Sequence, residues 1–491
     1  MVLLLLVCSY TGIAQKNIFL QRDYWKENPS VEKIKKDIEA GNDPTELNPN
    51  AFDAIVYALL EKVDNTAVEY LLSLEGNDVN KRTHDARTYL FWAAYKGNVK
   101  MMSYLVAKGA KTDLVDSHGY TVLNFAASTG QQNTAVYDFC ISHGANPAAD
   151  KDHNGANALL LITPSLKNDK LIDYFVSKGV DINSTDSEGN GIFNYAAKRG
   201  DKNVLDALIK RGVSYKKASK DKGNAFIFAS KGTRNSTYNI ETFKYLEALG
   251  ISPNVVTDKG VTPLHALAYS NKDLDIFSYF IKKGVDVNQQ DTNGNTAFSN
   301  AVYRNDLKSI AFLSNYVKNI NQPNKKGITP LMLAVQRNTI EVVNFLLDKG
   351  GDVFAKDADG NSMITYVLKS YDKRNPEAFD AKVKLLQERG VDFTMVQAEG
   401  NTLWHLAIKE NDVNLLKRLV AFNIPINKKN DEGVTALHIA AMKATDVNSL
   451  KFLLSNGADK NAKTDFDETV LDLAKENELL QKQQIPLNFL K

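Results

Sequence analysis

Histidines are the residues of this sequence best suited to general acid–base catalysis or zinc binding, and the chain has seven of them. Imidazole titrates near neutral pH and is a common Zn²⁺ ligand. Three of the seven, His265, His405 and His438, each follow a threonine by three residues. They lie 140 and 33 residues apart, which is not the spacing of a local zinc motif. The pattern therefore favours a structural role over a metal site or a general base.

Aspartates that precede a glycine by three residues form a second set of candidate ligands. Ca²⁺ prefers carboxylate oxygens, so a line of aspartates could bind calcium. Each of these aspartates, however, belongs to a different repeated segment, too far from the next one to share an ion. Their regular recurrence favours turn residues that accept hydrogen bonds from nearby backbone amides. They are Asp116, Asp152, Asp186, Asp291 and Asp357.

No stretch of the chain matches a phosphate-binding loop, a zincin helix, a nucleophile elbow, a paired-cysteine metal site or a dinucleotide-binding turn. We therefore expect neither an enzyme nor a cofactor or metal site. The 60 basic and 58 acidic residues give a net charge of +2, which offers no excess positive field for nucleic acid or anionic lipid. The aromatic residues lie at core positions and not along a basic groove. Examples are Phe91, Phe125, Phe193 and Phe312.

The first fourteen residues differ from the rest. Met1–Ala14 carries no charge, opens with an apolar run and ends in Gly-Ile-Ala before Gln15, which resembles a secretory signal peptide. The usual basic start is missing, so either translation begins further upstream or the segment has another role. The run is too short to span a bilayer, and no membrane insertion is expected. We predict an exported protein, periplasmic or secreted, or a cytoplasmic one if the segment is not a signal.

The two cysteines give no disulfide framework. A lipoprotein in which Cys8 is acylated is the weaker interpretation of the N-terminus, because Val7 stands where a small residue is expected. Cys140 lies in an apolar helical stretch, and we expect a buried, unreactive thiol.

A period of about 34 residues runs through the rest of the chain. The boxes at 260–266, 327–334 and 433–441 contain Gly-Val/Ile-Thr-Pro/Ala-Leu, with His in the first and third. About 21 residues after each Thr comes a second glycine signature, at 284–288, 350–353 and 457–461. These motifs together resemble the ankyrin repeat. The resemblance implies an all-α repeat solenoid of helix–turn–helix pairs with short β-hairpin fingers. It also implies that the three box histidines bond to the Thr and brace adjacent turns, and that His84, His118 and His153 near the fingers are solvated or contact a partner.

The Thr position of the box sets the boundaries of the copies. We predict a signal peptide at 1–14, an N-terminal capping half repeat at 15–49, twelve repeats at 50–468 and a C-terminal capping half repeat at 469–491. Together they predict one elongated, curved domain, on the order of 100 Å long at 8 to 10 Å per repeat. The predicted starts are Asn50, Thr88, Thr121, Asn157, Gly191, Ala225, Thr262, Thr296, Thr329, Ser362, Thr402, Thr435 and Thr469.

The residue types at this position also predict how the helices begin. Thr, Ser and Asn side chains cap a helix N-terminus, and Pro263 and Pro330 then occupy the first helical position. An Ala five residues after the Thr position, as at Ala334, lets neighbouring helices approach closely. The starts at Gly191 and Ala225 lose the cap, so we predict that the middle of the stack is its weakest section.

A solenoid without a catalytic constellation is suited to binding other proteins along its surface. The resemblance places the contacts on the finger tips and the exposed face of the first helix, and the mixed charge of the tips argues for a protein partner rather than a polyanion. Any single tip could instead be a solvated turn. The predicted contact residues are His118, Tyr120, His153, Glu188, Lys222, Asp258, Lys259, Lys325, Lys326, Asp359, Asp431 and Glu432.

Insertions at 231–238 and 371–378 lengthen two copies between their helices and form a secondary candidate surface, or reflect neutral drift. The first functional hypothesis is a monomeric, non-catalytic scaffold for a protein partner. The second is an exported effector or toxin antagonist that engages a foreign protein. An enzyme would need a separate domain, and the repeats leave no room for one.

Overall fold

The computed structural model describes residues 17–233, 238–482 and 484–491. These residues form 28 α-helices and several 3₁₀ helices, but no strand apart from the isolated bridges Thr185–Gly191 and Lys463–Thr469. The all-α repeat class is therefore confirmed, and the predicted hairpin fingers are turns without strands. The predicted signal peptide lies outside the described residues. The chain divides into two compact units, one ending at Ile251 and the other beginning at Ser252.

Helices of the N-terminal unit come in pairs joined by short loops. From α3 onwards, an odd number marks the first helix of a repeat and an even number marks the second. The helices are α1 (Arg22–Lys26), α2 (Val31–Glu39), α3 (Ala54–Glu61), α4 (Asn65–Leu72), α5 (Tyr89–Lys96), α6 (Val99–Ala107), α7 (Val122–Ser128), α8 (Thr134–Ser142), α9 (Ala158–Ile162), α10 (Lys170–Ser177), α11 (Ile192–Ala197), α12 (Lys202–Lys210), α13 (Ala225–Lys231) and α14 (Ile240–Ala248).

The C-terminal unit continues the same alternation of first and second helices. Its helices are α15 (Pro263–Leu267), α16 (Leu274–Lys282), α17 (Ala297–Arg304), α18 (Leu307–Ser314), α19 (Pro330–Arg337), α20 (Ile340–Asp348), α21 (Met363–Leu368), α22 (Pro376–Glu388), α23 (Leu403–Ala407), α24 (Val413–Leu419), α25 (Ala436–Lys443), α26 (Asn448–Ser455), α27 (Val470–Glu476) and α28 (Glu478–Lys482). None of the described helices is both long and apolar enough to cross a membrane.

Within each unit, first helices pack on first helices and second helices pack on second helices. In the N-terminal unit α1, α3, α5 and α7 contact one another in order, and so do α2 with α4 and α6 with α8. In the C-terminal unit the first helices α15 to α27 contact one another in the same way. Because α1 stacks on α3 just as α2 stacks on α4, the N-terminal segment contributes a helix pair. The sequence analysis predicts only a half repeat in this segment.

Side-chain caps begin most of the first helices, as the Thr position predicts. Thr121, Thr329 and Thr435 each accept a hydrogen bond from the backbone N–H three residues later, over 3.2, 3.3 and 3.4 Å. These bonds satisfy amides that a helix start leaves without a partner.

Two starts differ from their predicted positions. The cap of α3 is Asp53 and not Asn50, since its carboxylate accepts a hydrogen bond from the backbone N–H of Val56 at 2.9 Å. The cap of α13 is Asn224 and not Ala225, since its side-chain oxygen accepts one from the backbone N–H of Phe226 at 2.9 Å. Loop lengths vary around both repeats, so counting from neighbouring copies misplaces the start by one to three residues.

The middle of the stack is therefore better capped than expected. Asn157 caps α9 at 3.1 Å, and Asn224 caps α13. Only Gly191 of the three starts lacks a side-chain cap, so the prediction of two lost caps was wrong. A different irregularity is found here. Helix α9 has only five residues and gives way to a 3₁₀ turn, Thr163–Ser165, with proline at its second position.

The core lies between the first and second helices of each unit. The alanines five residues after the Thr position, among them Ala93, Ala126 and Ala440, are buried as predicted. Phe91, Phe125 and Phe193 are buried as well. Cys140 in α8 is buried, as expected, and burial raises the pKa of its thiol to about 12.

One predicted core residue lies nearer the surface. Phe312 is half-buried on α18, where its ring stacks on Phe277 at a centroid distance of 6.4 Å.

Aspartate side chains close the finger turns. Asp116 Oδ1 accepts hydrogen bonds from the backbone N–H groups of His118 and Tyr120, both at 2.9 Å. The same pair of bonds forms at each of the other four recurring aspartates. They are turn residues, as predicted. Among the described residues, no group of three His, Cys, Asp or Glu side chains is placed to hold a metal ion.

Candidate functional site

The box histidines are structural links between repeats. His405 Nδ1 accepts a hydrogen bond from the backbone N–H of Thr402 at 3.1 Å and lies 2.7 Å from its hydroxyl. Its Nε2 lies 3.0 Å from the backbone carbonyl of Val434 in the next repeat. A nitrogen that accepts from a backbone N–H carries no proton, so the imidazole is neutral with its proton on Nε2.

The other two histidines repeat this geometry. Nδ1 of His265 and His438 accepts from the threonine N–H at 3.0 and 3.1 Å, and Nε2 faces a carbonyl of the following finger at 3.2 and 3.0 Å. Burial lowers the pKa of all three imidazoles. The structural role predicted for them is confirmed.

Within each unit the predicted contact residues lie in a row along the finger turns, and all but one of them are exposed. They are His118, His153, Glu188 and Lys222 in the N-terminal unit, and Asp258, Lys259, Lys325, Lys326, Asp359, Asp431 and Glu432 in the C-terminal unit. The exception is Tyr120, which is half-buried beside the first helices. Whether the row contacts a partner stays a prediction.

Backbone hydrogen bonds join successive fingers within each unit. In the N-terminal unit, the N–H of Ser187 donates to the carbonyl of Asn154 at 2.8 Å, and the N–H of Lys220 donates to Glu188 at 2.7 Å. In the C-terminal unit, the N–H of Ala358 donates to Lys326 at 2.8 Å. These bonds fix the backbone of the tips while leaving their side chains in solvent. The row is therefore preorganised for contact.

Near His118, charged side chains also link one finger to the next. Arg87 is buried, and its guanidinium bonds Asp116 at 2.8 Å and Asp85 at 3.0 Å while stacking 4.2 Å from the ring centre of Phe125. His118 Nε2 lies 3.4 Å from the same Asp85 carboxylate. This network is not apparent from the sequence, because its three charged residues come from two neighbouring fingers.

A cavity of about 1050 Å³ opens beside these fingers in the N-terminal unit, and we call it the cationic cavity. Tyr120 is the predicted contact residue that lines it. The insertion at 231–238 also reaches it, through Gly232 and Thr233, while residues 234–237 lie outside the described part. Its lining is Tyr95, Tyr120, Ser128, Thr129, Leu161, Pro164, Ser165, Tyr195, Lys198, Arg199, Gly200, Gly232, Thr233, Asn239 and Thr242.

Short side chains at equivalent positions create this cavity. The seventh and eighth residues after the cap are Tyr95 and Lys96 in one repeat and Lys198 and Arg199 three repeats later. In the two repeats between them, the same positions hold Ser128 with Thr129 and Pro164 with Ser165. Because α9 ends after five residues, it fills less of this space than a longer first helix would. These short side chains are visible in the sequence, but only when neighbouring repeats are aligned with one another.

Lys198 is the half-buried cation of this cavity. Its Nζ lies 5.5 Å from the ring centre of Tyr195 and 5.7 Å from that of Phe228. Burial lowers the pKa of Lys198, and the charge of Lys231 acts in the same direction. Lys231 Nζ in turn lies 5.6 Å from the Phe228 ring centre. Cations thus gather here around aromatic rings.

The C-terminal unit has a smaller cavity of about 490 Å³ at the corresponding positions. Lys369 and Lys409 line it, and so do the carboxylates Asp359, Glu399 and Glu410. Its three carboxylates outnumber its two lysines, in contrast to the cationic cavity. The second insertion takes a different form: residues from Pro376 onwards lengthen α22 to 13 residues.

Repeated helix pairs, capped turns and exposed finger turns define a helical repeat protein. Within that class, models of ankyrin repeats match residues 55–151, 226–324, 264–357, 301–381, 374–464 and 165–209. The chain therefore belongs to the ankyrin repeat family. Repeats of this family typically mediate protein–protein interactions and are generally non-catalytic scaffolds.

Curated relatives share the repeats over part of their length. A phosphocholine transferase of Legionella pneumophila, AnkX, is 25% identical over 264 residues, which are 53% of this chain and 24% of the relative. The human transient receptor potential cation channel subfamily A member 1 is 23% identical over 407 residues, 74% of this chain and 36% of the channel. The chain thus spans about a quarter to a third of these relatives.

Two solved structures show local similarity. The ankyrin repeat domain of human ASB11 is 22% identical, with a TM-score of 0.38, and the match covers 46% of this chain and 97% of that domain. A chain from the complex of the predatory endopeptidase Bd0816 of Bdellovibrio bacteriovorus with the immunity protein Bd3460 is 28% identical, with a TM-score of 0.32. That match covers 38% of this chain and 98% of the other.

Proposed function

We propose that the chain is a non-catalytic scaffold that binds a protein partner through its finger tips and the adjoining faces of its first helices. The observation that carries this proposal is the row of exposed, chemically diverse tips on a backbone fixed by finger-to-finger hydrogen bonds. A fixed backbone lowers the ordering entropy that binding would otherwise require. Family membership supports the same use of the surface.

Crosslinking in the native host, followed by mass spectrometry, tests the proposal. The bait is the tagged full chain, compared with its Lys325→Glu/Lys326→Glu variant. We expect a discrete partner crosslinked to the wild-type chain and at least a tenfold loss with the tip variant, because reversing two charges opposes complementarity at the interface.

A matched control reverses the same number of charges away from the fingers. Lys282→Glu/Lys308→Glu changes two exposed lysines on the second helices α16 and α18. It should recover the partner as the wild-type chain does. Equal loss in both variants, or crosslinks that map only to second helices, would reject the finger surface.

We also propose that the chain is exported, periplasmic or secreted. The uncharged apolar segment Met1–Ala14 and the small residues before Gln15 support this. Sequencing the N-terminus of the protein purified from its host should give a chain that starts at Gln15. A chain that keeps Met1 would contradict export by signal cleavage.

A further inference from the structure

The described lining of the cationic cavity carries positive charge from two side chains. Among the lining residues that the structure describes, Lys198 and Arg199 carry charge and none is a carboxylate. Within residues 17–233 and 238–482, neither side chain forms an ion pair with an Asp or Glu. A half-buried ammonium group that makes no direct ion pair favours an anionic ligand.

Lys198 is also held in place. Its ammonium group lies near two aromatic rings, and one of these, Tyr195, is anchored by a 3.0 Å hydrogen bond from its hydroxyl to Asp186. A cation whose position is fixed before binding loses little freedom when a carboxylate arrives. The hydroxyls of Ser128, Thr129 and Ser165 supply further hydrogen-bonding groups along the wall.

The surroundings favour isolated negative charges over a polyanion. The carboxylates whose charges reach Lys198 are Asp152 and Asp186 at the finger bases, and both already accept backbone hydrogen bonds. A phosphate backbone with charge at every step would meet repulsion there, whereas a peptide with one or two acidic side chains would not.

We propose that the cationic cavity binds an extended segment of the protein partner and receives an Asp or Glu side chain between Lys198 and Arg199. The inference rests on the proposed function and adds the chemistry of the bound segment. A cavity of about 1050 Å³ is at the upper end of ligand pockets, which span about 300 to 1,000 Å³, so several side chains fit. The aromatic walls formed by Tyr95, Tyr120 and Tyr195 accommodate apolar neighbours of the acidic residue.

Selection of phage-displayed random dodecapeptides on the immobilised full chain tests this inference. We expect the selected peptides to share an acidic residue at a fixed position. Synthetic copies should bind the Lys198→Gln/Arg199→Gln variant at least tenfold more weakly. A peptide in which the shared acid is replaced by its amide should bind the wild-type chain at least tenfold more weakly as well. The same amide peptide should bind the Lys198→Gln/Arg199→Gln variant no more weakly than the acidic peptide does, because both changes remove the same contact.

The matched control is Lys369→Gln/Lys409→Gln, which removes two lysines that line the smaller cavity of the C-terminal unit, each at the position that corresponds to Lys198. It should bind the peptides within twofold of wild type, and circular dichroism should show that both variants are folded. Peptides without a shared acid, equal binding to both variants, no selected peptide, or preferred binding of a single-stranded oligothymidylate would each overturn the inference. The proposed function would survive these results if the crosslinked partner still depended on the finger tips.

Discussion

At the residue scale, the box histidines show how one neutral side chain can serve two repeats. His405 satisfies a backbone N–H of its own helix start and donates to a carbonyl of the next finger. A protonated ring could not accept the threonine N–H. The role therefore depends on a neutral imidazole, and burial favours that form by lowering its pKa.

Replacing His405 by alanine should destabilise the C-terminal unit by about 1 to 3 kcal/mol, because buried backbone groups lose their partners. Hydrogen exchange of the peptides around α23 and α25 measures the loss. His118→Ala, an exposed finger histidine, is the control and should change stability by less than about 0.5 kcal/mol. Equal effects of the two substitutions would show that the box histidine contributes no link.

Asn124 occupies the box position of the repeat capped by Thr121, and its buried amide has no hydrogen-bond partner among the residues that the structure describes. Asn124→His should stabilise the N-terminal unit by about 1 kcal/mol, because Nδ1 can accept from the Thr121 N–H and Nε2 can reach the next finger. Thermal unfolding measures the gain. Asn124→Leu separates the new bonds from simple removal of the amide, and a leucine variant as stable as the histidine one would contradict the argument.

At the element scale, sequence reasoning predicted the helix starts that depend on local chemistry. Thr121 and Thr435 cap as expected because the cap residue, the following apolar run and the turn glycine all lie within one repeat. It misplaced the start at Asp53, where an asparagine three residues earlier also suits a cap. It missed the cationic cavity, because the cavity arises from side chains in five successive repeats that no single motif contains.

Finger turns offer a paired test of close packing between repeats. Gly327 and Gly360 occupy equivalent turns with φ of +73° and +88°. A Cβ at Gly327 would lie 2.5 Å from the backbone nitrogen of Ala358 in the next finger, whereas one at Gly360 would meet no atom within 4 Å. The two positions therefore share the conformational requirement and differ in the space available.

We expect Gly360→Ala to cost about 1 to 2 kcal/mol, the price of a left-handed backbone for an L-residue. Gly327→Ala should cost at least about 1 kcal/mol more, because the neighbouring finger must move. Urea unfolding of both variants measures the difference. If the two substitutions destabilise the chain equally, close finger packing does not limit this position.

At the scale of the whole molecule, the two units differ in the number of box histidines that link one repeat to the next. The three histidines with lowered pKa lie in the C-terminal unit. At the same position, the N-terminal unit has Asn124, Leu160 and Asn194, which do not titrate. The units should therefore respond differently to acid.

The sign of the response follows from proton binding. The folded imidazoles have pKa values below the unfolded value of 6.5, so between pH 7 and 5 the unfolded chain takes up protons that the folded chain does not. The free energy of unfolding of the C-terminal unit must fall over this range. Asp372, with its pKa lowered to about 2 beside Arg374, stays ionised and adds no change there.

Hydrogen exchange at pH 7 and pH 5, corrected for intrinsic rates, should show this difference within one sample. Peptides from 252–491 should lose about 1 kcal/mol or more of protection relative to those from 17–251. His405→Asn/His438→Asn should make the C-terminal unit less stable at pH 7 and less sensitive to acid, because the neutral amides do not titrate. Equal acid sensitivity of the two units would mean that the buried histidines do not govern the response. The assignment of neutral imidazoles to the box histidines would then be wrong.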